Sequence, residues 1–140
     1  MESGDKRLEN WRILVVEDEP LVATDVTMSL ENAGAVVLGP AASEMEALRI
    51  LDQALADGPL DGAVLDVILV DHTSEGIADR LIELGVPIVL HTGNWEPNGD
   101  LTQYLTVPVI AKPSAPEQLI DALLRTKVDQ VRKDAAPAEE

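Results

Sequence analysis

The chain has 140 residues, a length typical of one domain. It contains no cysteine, which excludes disulfide frameworks, thiolate zinc sites and cysteine nucleophiles. Acidic residues outnumber basic residues by 26 to 10, and the resulting net charge of −16 excludes direct binding to nucleic acid. No apolar run approaches the roughly 18 residues of a membrane span. The start of the chain has no signal-peptide pattern, so we expect a cytoplasmic protein without a membrane partner.

Short apolar runs alternate with amphipathic segments along the chain. The apolar runs predict strands over residues 12–16, 36–38, 63–65, 87–90 and 107–111. Pro20 and two Ser-x-x-Glu capping boxes, Ser43 to Glu46 and Ser114 to Glu117, mark helix starts. Gly34 and Gly85 mark helix ends. This alternation indicates an α/β protein with a parallel sheet covered on both faces.

The number of strands predicts the topology. Five strands in this length favour a doubly wound, flavodoxin-like sheet of order 2-1-3-4-5 with helices on both faces. The domain would span residues 12–133, with a flexible leader over residues 1–11 and a disordered acidic tail over residues 134–140. The segment from Asn94 to Thr106 interrupts the alternation with the turn signature Pro97-Asn98-Gly99-Asp100. We therefore expect the helix between the fourth and fifth strands to be short or broken.

Polar residues follow four of the predicted strands, and sites in such sheets form beyond the carboxyl ends of the strands. Glu17 and Asp18 follow the first strand, Asp66 the third, Thr92 the fourth and Lys112 the fifth. Carboxylates brought this close repel one another, and a hard divalent cation such as Mg²⁺ relieves the repulsion. Such a cation also neutralises an incoming phosphoryl group, which an aspartate can accept as an acyl phosphate. The lysine and the threonine suit the phosphoryl oxygens.

The motifs around these residues resemble the receiver domain of bacterial two-component response regulators. The resemblance covers nearly the whole chain, from about Arg12 to Val131. It is carried, in order, by Val15-Val16-Glu17-Asp18-Glu19-Pro20, Val64-Leu65-Asp66, Thr92-Gly93 and Ala111-Lys112-Pro113. Together these motifs are highly specific, although any one of them alone is weak.

The resemblance implies a role for each matching residue. Asp66 would accept a phosphoryl group from a sensor histidine kinase, and Thr92 and Lys112 would read the phosphorylated state. Mg²⁺ would be bound by Glu17, Asp18, Asp66 and the backbone carbonyl of Ile68. The resemblance also allows a cis peptide bond before Pro113.

Some residues depart from the family pattern. Val109 stands where the family usually has an aromatic switch residue, three positions before Lys112. The stretch from Leu90 to Trp95 resembles, in part, the Phe-Ala-Thr-Gly-hydrophobic-Tyr stretch of a receiver subgroup that lacks this switch. We therefore predict that Trp95 transmits phosphorylation instead, with Gly93 as a pliable joint. His91, within the same stretch, is expected to pack or to cap rather than to relay protons.

The predicted function is that of a stand-alone response regulator receiver, because the chain has no room for an output domain. Its partners would be a sensor histidine kinase and either an unknown downstream protein or a phosphotransfer protein. It would be no enzyme beyond catalysing its own phosphorylation and dephosphorylation. One alternative is an adaptor that keeps the fold without phosphorylation. Another is a Mg²⁺-dependent phosphohydrolase, although Ile68 stands where that chemistry needs a second acid.

Overall fold

The computed structural model describes residues 6–66, 75–93, 107–112 and 114–135, without the side chains of residues 75 and 127–135. The strands are β1 (Arg12–Val16), β2 (Val36–Ala41), β3 (Gly62–Leu65), β4 (Ile88–Thr92) and β5 (Val109–Ala111). The helices are α1 (Pro20–Asn32), α2 (Glu44–Leu55), α3 (Glu75–Glu83) and α4 (Pro116–Ala135). The strands form one parallel sheet of order β2-β1-β3-β4-β5, so the predicted topology is confirmed.

Each face of the sheet carries its own hydrophobic core, because successive side chains of a strand point to opposite faces. On one face, Leu14 and Leu65 of the sheet pack with Leu51 of α2 and Leu81 of α3. On the other face, residues of β1, β3 and β4 pack with α1 and α4, as the buried side chains of Leu30 and Leu123 show. The two helix pairs therefore cover both faces, as predicted.

Local sequence signals place the helix ends. Pro20 occupies the first turn of α1, where its missing N–H is not needed. Gly34 follows the end of α1 with a φ of +99°, the left-handed conformation that glycine adopts without strain. At α2, Ser43 Oγ accepts a hydrogen bond from the Glu46 amide at 3.1 Å, and Glu46 Oε1 accepts one from the Ala42 amide at 2.9 Å. The Ser43 bond of the first predicted capping box is thus present, whereas Glu46 bonds to the amide before Ser43 rather than to that of Ser43 itself.

The second predicted capping box, Ser114 to Glu117, is wrong. Helix α4 begins at Pro116, because proline lacks an N–H and its fixed φ suits the first helical turn. Ala115 therefore takes the preceding position, and its amide donates to Gln118 Oε1 at 2.8 Å. Ser114 is left to bond elsewhere, as described below.

Four strands differ from the prediction, and β3 differs only by beginning one residue earlier, at Gly62. Strand β2 continues through the cis Gly39–Pro40 bond to Ala41, whose carbonyl accepts the Glu17 amide at 2.8 Å. Strand β4 continues to Thr92, because it pairs with β5 through that residue. Strand β5 begins only at Val109. The longer β4 brings Thr92 into the sheet itself.

Residues 6–11, predicted as part of a flexible leader, are packed against the domain. Leu8 is completely buried beside α1, and its amide donates to the Ala33 carbonyl at 2.8 Å. The Asn10 amide donates to the Gly34 carbonyl at 3.0 Å. The hydrophobic core therefore begins before β1.

Arg12 joins three elements at the edge of the sheet opposite the predicted site. Its guanidinium donates to the carbonyls of Ala54, at the end of α2, and of Gly58 and Pro59, at 2.9, 2.7 and 2.9 Å. Its backbone amide donates to Asp61 Oδ2 at 2.9 Å, just before β3. One cation thus joins the last turn of α2 to the chain that leads into β3.

Four predictions about the fold lie outside the described residues: residues 1–5 of the flexible leader, the short or broken helix between Asn94 and Thr106, the cis bond before Pro113, and residues 136–140 of the acidic tail. Helix α4 extends to Ala135, two residues into that predicted tail. Among the described helices, none combines the length and the apolar character that crossing a membrane requires.

Candidate functional site

The carboxyl edge of the sheet brings together the residues that follow its strands. Glu17 follows β1, Asp66 follows β3, Thr92 ends β4 and Lys112 follows β5. The Asp66 amide donates to the Val16 carbonyl at 2.8 Å, and the Lys112 amide donates to the Thr92 carbonyl at 3.1 Å. These main-chain bonds continue the sheet past its last pairs, so the side chains converge on one edge.

Lys112 is the centre of this cluster. Its Nζ lies 2.9 Å from Glu17 Oε1, 2.9 Å from Glu19 Oε1 and 3.2 Å from Asp66 Oδ2. An ammonium group has three N–H donors, so each carboxylate can take one of them. Glu17 and Asp66 are buried, whereas the Glu19 side chain is 62% exposed. The site therefore holds one cation among three carboxylates.

Burial and mutual repulsion shift the ionisation of the carboxyl groups. Burial raises the pKa of Glu17 to about 7, with a smaller opposing effect of its hydrogen bond from Lys112. Burial also raises the pKa of Asp18, and the negative charge of Asp66 adds to that effect. Burial alone would lower the pKa of Lys112, but hydrogen bonds to Glu19 and Glu17 raise it. The cluster therefore has an excess of negative charge that a second cation would relieve.

The donor set fits a hard divalent cation. Carboxylate oxygens of Glu17, Glu19 and Asp66 all lie within 4.8 Å of one another. Oxygen ligands of this kind, supplemented by water, are those that Mg²⁺ prefers. This group differs from the predicted ligands Glu17, Asp18 and Asp66 by including Glu19. The other predicted ligand, the Ile68 carbonyl, lies outside the described residues.

Sequence reasoning missed Glu19, although a signal was present. Glu19 is the third member of the acidic run after β1, and it occupies the position just before α1. Its side chain makes no capping bond to that helix and points instead to Lys112. Asp18 is half-buried and interacts with Asp66 by a side-chain hydrogen bond and by charge.

The end of β4 supplies the remaining predicted residues. Thr92 is buried, and Gly93 after it is exposed, with no heavy atom within 4 Å of where a Cβ would lie. Val109, opposite on β5, is half-buried and packs against the core beneath α2 and α3. Trp95, the predicted signalling residue, lies outside the described residues. No atom of the described residues therefore crowds Gly93.

His91 precedes Thr92 and is buried. Its Nε2 lies 3.1 Å from Ser114 Oγ, whereas its buried Nδ1 has no hydrogen-bond partner within the described part of the chain. Burial lowers the pKa of His91, and the positive charge of Lys112 lowers it further. The ring is therefore neutral at neutral pH. The prediction that His91 packs or caps agrees with its burial and its hydrogen bond, but the sequence did not indicate Ser114, beyond β5, as the partner.

A groove of about 530 Å³ opens beside the cluster, between α1 and the start of α4. Its apolar lining includes Val22 and Leu119, and its polar lining includes His91, Lys112 and Ser114. Leu21, at its rim, is 86% exposed. A partner that reaches Lys112 from this side therefore meets an apolar surface first.

The cluster has the chemical parts for holding a phosphoryl group on a carboxylate. The Asp66 carboxylate is a possible nucleophile, and the carboxylates around it suit a cation that would neutralise the incoming charge. The Lys112 ammonium, 3.2 Å from Asp66, is placed to pair with a phosphoryl oxygen.

Comparison with known proteins identifies the fold. No protein-family model matches the chain. The Phyllosphere-induced regulator PhyR of Methylorubrum extorquens is 33% identical over 108 residues, which are 74% of this chain and 39% of PhyR. The chain thus spans well under half the length of the curated relative that it matches.

Comparison with solved structures also identifies the fold. A response regulator receiver domain protein (CheY-like) from Methanospirillum hungatei has a TM-score of 0.73 at 21% identity, covering 89% of this chain and 99% of that one. A mutant of the anti-anti-sigma factor PhyR from Bartonella quintana has a TM-score of 0.68 at 22% identity, covering 96% of this chain and 52% of that one. The chain therefore has the receiver-domain fold of response regulators. Its resemblance to the Phe-Ala-Thr-Gly subgroup stays a prediction.

Proposed function

Proceeding from the receiver-domain fold, we propose that the chain accepts a phosphoryl group on Asp66 in a Mg²⁺-dependent reaction and thereby changes its binding to another protein. The observation that carries this proposal is the position of Asp66. Its carboxylate ends β3 among the carboxylates of Glu17 and Glu19, with Lys112 Nζ 3.2 Å away. A carboxylate placed there has one cation beside it in Lys112, and the neighbouring carboxylates would hold the metal ion that phosphoryl transfer also needs.

The chemical step is a displacement at phosphorus. An oxygen of Asp66 forms a bond to the phosphorus of a phosphohistidine on a sensor histidine kinase. The P–N bond breaks, and the imidazole nitrogen keeps its electron pair. A bound Mg²⁺ would neutralise charge on the phosphoryl oxygens. Lys112 would exchange its bond to Asp66 for one to a phosphoryl oxygen, and the Thr92 hydroxyl would donate another.

The direct test is the mass of the intact protein after incubation with Mg²⁺ and acetyl phosphate. We expect one phosphoryl addition in the wild type and none in Asp66→Asn, which keeps the shape of the side chain and removes the nucleophile. Asp57→Asn is the matched control, because Asp57 is exposed and lies before β3, away from the carboxyl edge. Addition to Asp66→Asn at the wild-type rate would overturn the assignment.

The same experiment separates the alternatives. An adaptor that is not phosphorylated would gain no mass. A phosphohydrolase would turn over many phosphoesters, such as p-nitrophenyl phosphate, in an Asp66-dependent reaction. The proposed receiver would take up one phosphoryl group and hydrolyse such esters no faster than the Asp66→Asn variant.

The exposed side chain of Leu21 supports a protein, rather than a small molecule, as the phosphoryl donor. It lies on the rim of the groove that also contains Lys112, so a kinase that reaches Asp66 from this side covers it. We expect Leu21→Ala to slow phosphorylation by a kinase several-fold. The rate of phosphorylation by acetyl phosphate should not change, because this small donor needs no docking surface. Equal slowing with both donors would place the effect at the site rather than at the docking surface.

The name of one structural relative suggests which class of protein to test as the downstream partner. Because one structural relative is an anti-anti-sigma factor, an anti-sigma factor is the first candidate to test. We expect such a partner to bind the chain differently with and without a beryllofluoride phosphoryl mimic, measured by calorimetry. Equal binding in both states would exclude this partner as the phosphorylation-dependent output.

A further inference from the structure

The hydrogen bond between His91 and Ser114 joins the ends of two neighbouring strands. His91 lies in β4 directly before Thr92, and Ser114 lies two residues after Lys112. His91 is only 3% exposed, and its Nε2 lies 3.1 Å from Ser114 Oγ. The two predicted phosphoryl-binding residues are therefore each close in sequence to one partner of this bond.

A second bond joins the same two segments. The last pair between β4 and β5 is Thr92 with Ala111, so Lys112 lies just beyond the paired part of the sheet. Its amide donates to the Thr92 carbonyl at 3.1 Å. The main chain at Lys112 is thus held on one side by this backbone bond and on the other side by the bond from Ser114 to His91.

The chemistry of the imidazole supports a specific role for this bond. The ring is buried and its Nδ1 has no partner among the described residues, where a polar atom without a partner costs stability that an apolar side chain of similar size would not cost. Packing alone therefore does not account for a histidine here. A neutral imidazole with a hydroxyl partner forms the bond in either tautomer, because each group can donate or accept. The histidine differs from an apolar side chain at this position by its hydrogen bond between Nε2 and Ser114.

We propose that His91 is a positioning residue that, through Ser114, fixes the backbone of Lys112 relative to Thr92. Its effect on phosphoryl transfer rests on the proposed function, whereas its effect on the Lys112 backbone does not. Lys112 Nζ reaches Glu17, Glu19 and Asp66 from this anchored backbone. A Lys112 whose backbone shifts would lose that alignment, and a small misplacement in such a site slows a reaction.

The test uses variants that remove or keep the bond. Ser114→Ala and His91→Leu remove it, whereas His91→Gln keeps a polar group at the ε position of the side chain. Ser29→Ala is the matched control, because Ser29 lines the same groove but donates to its own helix, to the Asp25 carbonyl. The first measurement is hydrogen exchange of the Lys112 amide without Mg²⁺. The second is the rate of phosphorylation by acetyl phosphate.

We expect Ser114→Ala and His91→Leu each to speed exchange at Lys112, and to slow phosphorylation, by about fivefold, the factor that corresponds to one ordinary hydrogen bond. The double variant should be no worse than the more affected single variant, because both changes remove the same bond. His91→Gln should recover most of both effects, and Ser29→Ala should change neither.

Each outcome decides one question. Unchanged exchange at Lys112 in Ser114→Ala, or effects of the two substitutions that simply add, would overturn the positioning role. Ser114 is half-buried at the surface, so Ser114→Ala decides the matter even where His91→Leu does not fold. A wild-type protein that takes up no phosphoryl group would overturn the proposed function, while the exchange measurement would still decide the role of His91.

Discussion

The Lys112 ammonium nitrogen lies 3.2 Å from Oδ2 of Asp66, so the proposed phosphoacceptor is already paired with a cation before any phosphoryl group arrives. The same ammonium contacts Glu17 and Glu19. In this state Lys112 balances part of the charge that a divalent cation would otherwise balance. The stability of the domain and the affinity for Mg²⁺ are therefore linked through one side chain.

Removing that side chain should destabilise the metal-free protein. Lys112→Met leaves two buried carboxylates without a cation, and breaking a buried ion pair in this way costs about 3 kcal/mol. We expect the free energy of unfolding in urea to fall by about that amount without Mg²⁺, and to recover in part with Mg²⁺. Lys6→Met is the control, because Lys6 pairs with Glu9 only at 4.0 Å on the exposed surface. An equal loss in both variants would contradict the prediction.

Mg²⁺ affinity should depend on pH through Glu17. Burial raises the pKa of this carboxyl group to about 7, so below that pH the metal must displace a proton. In the metal-free protein the raised pKa means that the contribution of Glu17 to stability is complete below its unfolded pKa of 4.5 and is lost as the pH rises towards 7. We expect calorimetry to show Mg²⁺ binding that tightens from pH 5 to pH 7 with proton release. A Glu17→Gln variant with the same pH dependence would assign the proton to another group.

Asp18 and Glu19 can be distinguished as cation ligands. Because burial and Asp66 raise the pKa of Asp18, its charge is unfavourable in the fold, so Asp18→Asn should stabilise the metal-free protein at neutral pH. If Asp18 binds the cation, as the sequence predicts, the same variant should gain less stability from added Mg²⁺ than the wild type does. Glu19→Gln is the paired variant. Undiminished Mg²⁺ stabilisation in Asp18→Asn, with a loss in Glu19→Gln, would give the ligand role to Glu19.

The burial of Leu8 predicts that residues 6–11 contribute to the stability of the domain. Leu8→Ala removes a fully buried side chain from the core beneath α1, and such substitutions cost about 2–5 kcal/mol. We expect a loss in this range in chemical denaturation. Leu21→Ala is the matched control and should change stability little, because Leu21 is 86% exposed. A Leu8→Ala variant as stable as this control would mean that residues 6–11 do not belong to the core.

The strand order and the convergence of Glu17, Asp66, Thr92 and Lys112 could be predicted from the sequence. Strand ends are visible as the points where apolar runs stop, and parallel strands bring those ends to one edge. The buried Leu8 could not be predicted, because a single leucine in a charged segment shows no periodicity. Its burial depends on contacts with α1, which is distant in the chain.

The remaining differences have local causes. Ser114 matched a capping box, but the backbone preference of Pro116 moved the helix start by one residue. The direction of the Glu19 side chain depends on Lys112, which comes from another strand. Side-chain pairs of this kind, such as His91 with Ser114, depend on register and distance that residue patterns do not contain. The prediction for Trp95 concerns a residue outside the described part of the chain and stays a prediction.

The bonds of Arg12 have a consequence for where this domain can deform. At the amino edge of the sheet, one guanidinium spans the last turn of α2 and the chain that leads into β3, and its bonds to Ala54, Gly58 and Pro59 all go to carbonyl groups. No carboxylate has to change its protonation or its partner for these bonds to persist. At the carboxyl edge, by contrast, every bond to Lys112 Nζ involves a group that a cation or a phosphoryl group would engage. The bonds at the amino edge are therefore independent of the charge state of the site, whereas the bonds of Lys112 at the carboxyl edge depend on it.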